Sequence, residues 1–188
     1  MGKNKFVKHL LVLLNLISFN IIYISCASPP PKIPLFQPAN NEFVTVRMYN
    51  GKQTAFIENT DFSFQISAEE DNFGDGMLTF FVGFRNKMPT NYLQVRYSDF
   101  KLSYRNNDGK IKLINKSCTF EEWVNNGYRS NYMRDRMRIA FHQYYLLEND
   151  VRPNGGNAVG LIAFPYDGFS SFNLSVNILG REYNISFN

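Results

Sequence analysis

The sequence predicts a mainly β fold, an antiparallel β-sandwich with one inserted helical segment. Three observations carry the prediction. About eight short runs of alternating apolar and polar residues recur after residue 41, with turn signals roughly every 8 to 12 residues. No strand–helix–strand alternation occurs, which excludes a parallel α/β sheet. Helical spacing is confined to about residues 119–147. Composition agrees. With 44% hydrophobic residues, 18 Phe and 11 Tyr in 188 residues, the chain has the material for a core and is not of the disordered class. Two Cys and two His exclude a disulfide framework and a zinc ribbon or finger.

The chain begins with a basic segment, Lys3, Lys5 and Lys8 with no acid, followed by an apolar stretch from Leu10 to about Ile24. This is the layout of an export signal, and the apolar part is short of the roughly 20 residues that span a bilayer. Tyr23-Ile24-Ser25-Cys26 resembles the lipobox of bacterial lipoproteins, with Tyr23 where Leu is usual. That resemblance implies cleavage before Cys26 and lipidation of its thiol, and so a signal peptide over residues 1–25. An uncleaved N-terminal anchor is the alternative. Cleavage removes three of the 20 basic residues and none of the 16 acids, so the mature chain carries 17 and 16, a formal +1. A nearly neutral exported chain is not expected to bind nucleic acid. Residues 26–41 hold five of the eight Pro and are expected to form a semi-rigid tether.

The domain proper, residues 42–188, opens with a β-rich run at 43–49 and a turn at Asn50-Gly51. Residues 54–57 are a short strand. Phe62, Phe64 and Ile66 mark one face of a strand over 61–67, and residues 69–76 are a polar loop. Residues 77–86 place Leu78, Phe80, Val82 and Phe84 on one face and Phe81 on the other, which suits a central strand. Leu93, Val95 and Tyr97 alternate, and then the phase shifts to Phe100, Leu102 and Tyr104, the mark of a bulge or a change of sheet. Asn106-Asn107-Asp108-Gly109 turns the chain into a strand over 110–114. Thr119 and Glu122 form a capping box for a short helix ending at Gly127. Met133, Met137, Ala140, Phe141, Tyr144 and Leu147 then recur at helical spacing. Strands over 159–164, 171–179 and 182–187 close the domain, with a hairpin near Gly180-Arg181.

Three segments resemble the telokin-like, immunoglobulin-like domains of bacterial lipoproteins. They are Val82-Gly83-Phe84-Arg85-Asn86; Tyr97 to Leu102 followed by Asn107-Asp108-Gly109; and Val151-Arg152-Pro153-Asn154-Gly155 followed by Gly160 to Phe164. The likeness covers roughly residues 77–187. It implies an immunoglobulin-like sandwich displayed outside the cytoplasmic membrane, with no active site to transfer.

The chemistry in the sequence is sparse. After cleavage His142 is the one His and Cys118 the one unlipidated Cys. No nucleophile elbow occurs, since Gly168-Phe169-Ser170-Ser171-Phe172 lacks the closing Gly. A partly exposed helix His and a buried or half-buried structural thiol are the expectations, with an envelope hydrolase using Cys118 or His142 as the alternative. Glu69, Glu70, Asp71 and Asp75 lack calcium-loop spacing and suit a solvated turn. Arg129, Arg134 and Arg138, with Arg136, form one basic patch and are the candidate partner-binding residues. No metal or cofactor is expected. The expected function is a membrane-anchored lipoprotein of the outer membrane or cell surface. Its sandwich is expected to have a binding or structural role toward a protein or envelope partner.

Overall fold

A computed structural model describes residues 33–69, 76–128 and 131–188. The expected signal peptide, Cys26 and the first part of the tether lie outside the described residues. So do Glu70, Asp71, Asp75 and Arg129.

The fold is an antiparallel β-sandwich with a small helical insertion. A five-stranded sheet runs β1 (Thr45–Tyr49), β2 (Lys52–Glu58), β3 (Phe62–Ala68), β4 (Met77–Asn86) and then β9 (Asn157–Pro165). A four-stranded sheet runs β11 (Arg181–Phe187), β10 (Phe172–Ile178), β6 (Phe100–Arg105) and β7 (Ile111–Ile114). β5 (Leu93–Val95) and β8 (Asn149–Val151) form a separate two-stranded pair. The sandwich architecture is shared with immunoglobulin-like domains, and the strand order is a meander of β1 to β4 before the chain changes sheets.

The alternation in the sequence becomes the two inner faces. Phe64, Phe80, Phe84 and Ile162 from one sheet meet Phe100, Leu102, Leu174 and Phe187 from the other in one buried cluster. Phe80 touches Phe172 and Phe187 with ring centroids 5.7 and 5.3 Å apart, and Phe84 lies 6.0 Å from Phe100, all edge-on. Such geometry adds about 0.5–1.5 kcal/mol per pair beyond burial. Asn50-Gly51 and Leu179-Gly180 carry positive φ at both positions, the two-residue turn that matches strand twist. The last hairpin therefore turns at Leu179-Gly180, one residue before the expected pair. On the solvent face of β10 and β11, Ser186 donates to Asn173 at 2.7 Å and Ser175 to Asn184 at 2.5 Å. These Asn-x-Ser repeats are cross-strand ladders.

The phase shift after Tyr97 is a change of sheet. β5 belongs to the small pair and β6 to the four-stranded sheet, and a 3-10 turn at Tyr97–Asp99 joins them. The Arg96 amide donates to the Asp99 carboxylate at 2.7 Å. Asn86 locks the same end of the molecule. Its Nδ2 donates to the carbonyls of Asn91 at 2.8 Å and Val151 at 3.0 Å, and its Oδ1 accepts from the Met88 amide at 3.0 Å. One buried amide thus ties the end of β4 to the loop before β5 and to β8.

The tether departs from expectation. Phe36 is buried against Phe172, 4.9 Å away, and Gln37 and Ala39 donate to the carbonyls of Asn188 and Ser186 at 2.9 Å. Residues between the prolines keep their N–H groups, so the segment lines the open edge of β11. Residues 36–39, expected in the tether, are therefore part of the domain.

Replacing Asn86 by Leu keeps its branched shape and removes all three hydrogen bonds. The expected cost is roughly 3 kcal/mol, read as a lowered urea midpoint at unchanged m-value.

Candidate functional site

The insertion expected over 119–147 consists of α1 (Phe120–Gly127), α2 (Asn131–Phe141) and a 3-10 turn, His142–Tyr144. The capping box forms as expected. Thr119 Oγ1 accepts from the Glu122 amide at 3.2 Å, and the Glu122 carboxylate accepts from the Thr119 amide at 2.7 Å. α1 then lays Phe120, Trp123 and Val124 onto the outer face of the five-stranded sheet, over Met77, Leu161 and Ala163. Trp123 stacks on Tyr145, with centroids 5.3 Å apart. This cover buries the first half of β4 on both faces.

The two ends of the insertion are sewn to the edge of β9. The Cys118 amide donates to the Ala163 carbonyl at 2.9 Å and the Leu146 amide to the Leu161 carbonyl at 2.8 Å. Tyr145 turns to the outer cluster and Leu146 to the inner core. Close approach is possible because residue 160 is Gly, whose absent Cβ would sit 2.6 Å from the Leu146 nitrogen. The helical period expected to reach Leu147 stops at Phe141, because Tyr145 and Leu146 leave the helix for these positions.

Cys118 sits inside this seam, and burial pushes its thiol up to about 11. Glu122 raises it further and Lys116 opposes the shift. The Tyr145 hydroxyl donates to the Cys118 carbonyl, and its own pKa is raised by burial. His142 is exposed, edge-on to Phe120 at 5.1 Å and close enough to Glu121 to favour its carboxylate form. The charges that perturb Cys118 are Glu122 and Lys116, with no contribution from His142. A protonated buried thiol is not a nucleophile.

Two of the candidate arginines bind within the chain. Arg134 Nε donates to the Tyr128 carbonyl at 2.6 Å and Nη2 to the Asn125 carbonyl at 3.2 Å, filling orphan acceptors at the end of α1. Gly127 therefore ends the helix without a left-handed cap. Arg138 pairs with Glu121 at 2.8 Å and Asp135 at 3.1 Å, and it holds the Glu121 carboxyl below its usual range. Any partner contact through these two groups has to displace those bonds. The outward face of α2 carries Tyr132, Arg136 and Ile139 instead, with Tyr132 69% and Ile139 86% exposed. Arg136 lies over the Tyr132 ring at 5.8 Å. An apolar hollow of about 320 Å³, lined by Phe81, Tyr144, Val159 and Leu161, opens beside the 3-10 turn. Glu69 pairs with Lys52 at 2.5 Å, and among the described residues no three His, Cys, Asp or Glu side chains gather as a metal site.

A second concave surface was not singled out from the sequence. The part of the five-stranded sheet left uncovered by α1 holds, in register across neighbouring strands, Thr45, Phe56, Gln65, Gly83 and Val159. Arg47, Glu58 and Arg85 flank this row, around a groove of about 330 Å³. A glycine in mid-strand between outward-facing Phe81 and Arg85 is the one sequence signal that could have pointed to it.

No family model, curated protein or solved structure matches this chain.

Two outcomes follow from the seam. Cys118 is expected to resist alkylation at pH 8 until denaturant is added. Its raised pKa stabilises the fold below about pH 9, and this contribution is lost as pH rises toward about 11, so urea midpoints should fall over that window. Gly160→Ala forces the Leu146 backbone outward and should cost about 1–3 kcal/mol, seen as faster tryptic cleavage within α2.

Proposed function

We propose that the chain is a lipid-anchored bacterial envelope protein whose sandwich binds a partner rather than catalysing a reaction. In this reading Cys26 carries the lipid, the spacer ends before Ile33, which packs against the core, and the domain is displayed from the outer membrane or cell surface. Two or three acyl chains would hold it firmly, since each buried methylene contributes about 0.8 kcal/mol.

The observation that carries the binding role is the presentation of α2. Arg134 and Arg138 fasten it to α1 and its end by four hydrogen-bonded partners, the carbonyls of Tyr128 and Asn125, the Glu121 carboxylate and the Asn125 amide oxygen. The fastened helix keeps Tyr132, Arg136 and Ile139 turned to solvent. Tyr and Arg anchors on a held element are the composition of interaction hot spots. The hydrolase alternative needs a Cys118 thiolate beside His142. Burial of Cys118 and its separate electrostatic surroundings weigh against it. A formal mature charge of +1 favours an envelope partner over nucleic acid.

Metabolic labelling with a tagged fatty acid tests the anchor. Wild type is expected to incorporate label and fractionate with membranes, and Cys26→Ala to lose both properties. Unchanged label and fractionation in Cys26→Ala would overturn the lipoprotein assignment.

A further inference from the structure

We infer that the groove over Gly83 on the outer face of the five-stranded sheet is a binding site for an acidic sugar, one bearing a carboxylate. The inference concerns a different surface from α2 and stands whether or not the chain is lipidated.

The groove is built by register. Gln65, Gly83 and Val159 lie directly across β3, β4 and β9, and Ser63, Arg85 and Asn157 form the next row. Gly83 contributes no side chain, and the Gln65 side chain folds into the space over it, so the floor of the groove between Phe56 and Val159 is low and lined by an amide. The atoms nearest its missing Cβ all belong to the Gln65 side chain, which arches over it at 3.1 Å. Phe56 faces outward yet is 7% exposed, because the Arg47 guanidinium lies 4.0 Å above its ring and Tyr49 meets it edge-on at 5.9 Å. Arg47 is in turn held by Glu58 at 3.6 Å. A planar, oriented guanidinium thus forms one wall. Arg85 forms the other, and it is exposed with no ion pair among the described residues.

Charge selects the ligand. Arg47 and Arg85 face one carboxylate, Glu58, already engaged with Arg47, which leaves the Arg85 fork for a carboxylate brought from outside. Shape and polarity select its class. The groove lies on a sheet face, where backbone N–H and C=O groups are consumed by the strand ladders, so an extended peptide gains no main-chain bonds there. A sugar needs none. Its hydroxyls suit the Ser63, Gln65 and Asn157 side chains, and its C–H face suits the 55% exposed Val159.

The test is calorimetric titration of the full chain in detergent with a galacturonate trisaccharide and with the uncharged galactose trisaccharide. Saturable binding of the acidic sugar is expected, with the neutral one about tenfold weaker or more. Arg85→Gln should weaken the acidic sugar by about the same factor and leave the neutral one unaffected. Gly83→Ala should push Gln65 aside and weaken both. Thermal unfolding of each variant establishes that it is folded, and Arg85 is a surface position whose replacement leaves the core intact. No saturable binding, equal affinity for the two sugars, or undiminished binding by folded Arg85→Gln would each overturn the inference. So would an acidic hexapeptide that displaces the sugar and binds more tightly.

Discussion

The edge of β9 is the constraint on which the molecule is organised. Among the named strands β9 pairs with β4 alone, so its other edge presents carbonyls that must find donors or meet water. The chain supplies the donors from itself. Cys118 enters the insertion by bonding Ala163, and Leu146 leaves it by bonding Leu161. Because entry and exit are fixed two residues apart on one strand, the intervening segment has to lie against the sheet that β9 belongs to. α1 can then bury Trp123 and Phe120 on the outer face, and the first half of β4 becomes doubly buried although its sheet is antiparallel. The same closure places Cys118 where its thiol stays protonated, and it leaves α2 beyond the sheet, fastened to α1 by arginines.

The remaining edges are handled by other means. Residues 37–39 line β11, so the segment after the tether becomes part of the sandwich rather than a strap outside it. β7 is left as an edge with Ile111 and Leu113 outward, and Lys110 and Lys112 flank them as charges that oppose strand addition. β5 and β8 are too short to be stable as a pair in water. Asn86 secures them by donating to the Val151 carbonyl from within the core.

The inner faces were legible because burial on one side of a strand forces period 2. Phe62, Phe64 and Ile66, or Leu78, Phe80, Val82 and Phe84, could hardly point elsewhere. Phe81 was legible for the same reason, as an apolar residue on the wrong face of a good strand. The rest failed where tertiary contacts overrule local pattern. β8 is three residues long, Asn149 to Val151, and its composition resembles a loop. The helical spacing ran through Tyr144 and Leu147, but β9 takes Tyr145 and Leu146 out of the helix. Arg134 and Arg138 looked like a free basic face, because most of the acceptors that occupy them, on Glu121, Asn125 and Tyr128, lie on or just after the preceding helix. At the candidate site, the capping box and the buried thiol were legible locally, whereas the Arg47–Phe56–Arg85 groove exists only once four strands are in register.

Two adjacent strands of the same sheet each carry a glycine where a side chain would fill the space, and the two spaces differ in what occupies them. At Gly160 the missing Cβ is replaced by the backbone of Leu146, and the chain has closed over the gap. Any side chain there meets backbone, which cannot rotate away, so the glycine is required by the fold. At Gly83 the neighbours are the methylene and amide of one flexible Gln, and no backbone crosses. The fold would tolerate alanine at that position by moving Gln65. A strand interior gives up packing and about 0.5–1 kcal/mol when it uses glycine. At Gly160 the seam recovers that cost. At Gly83 the Gln65 side chain takes the space instead, and its amide becomes the low floor of the groove that Arg47 and Arg85 flank.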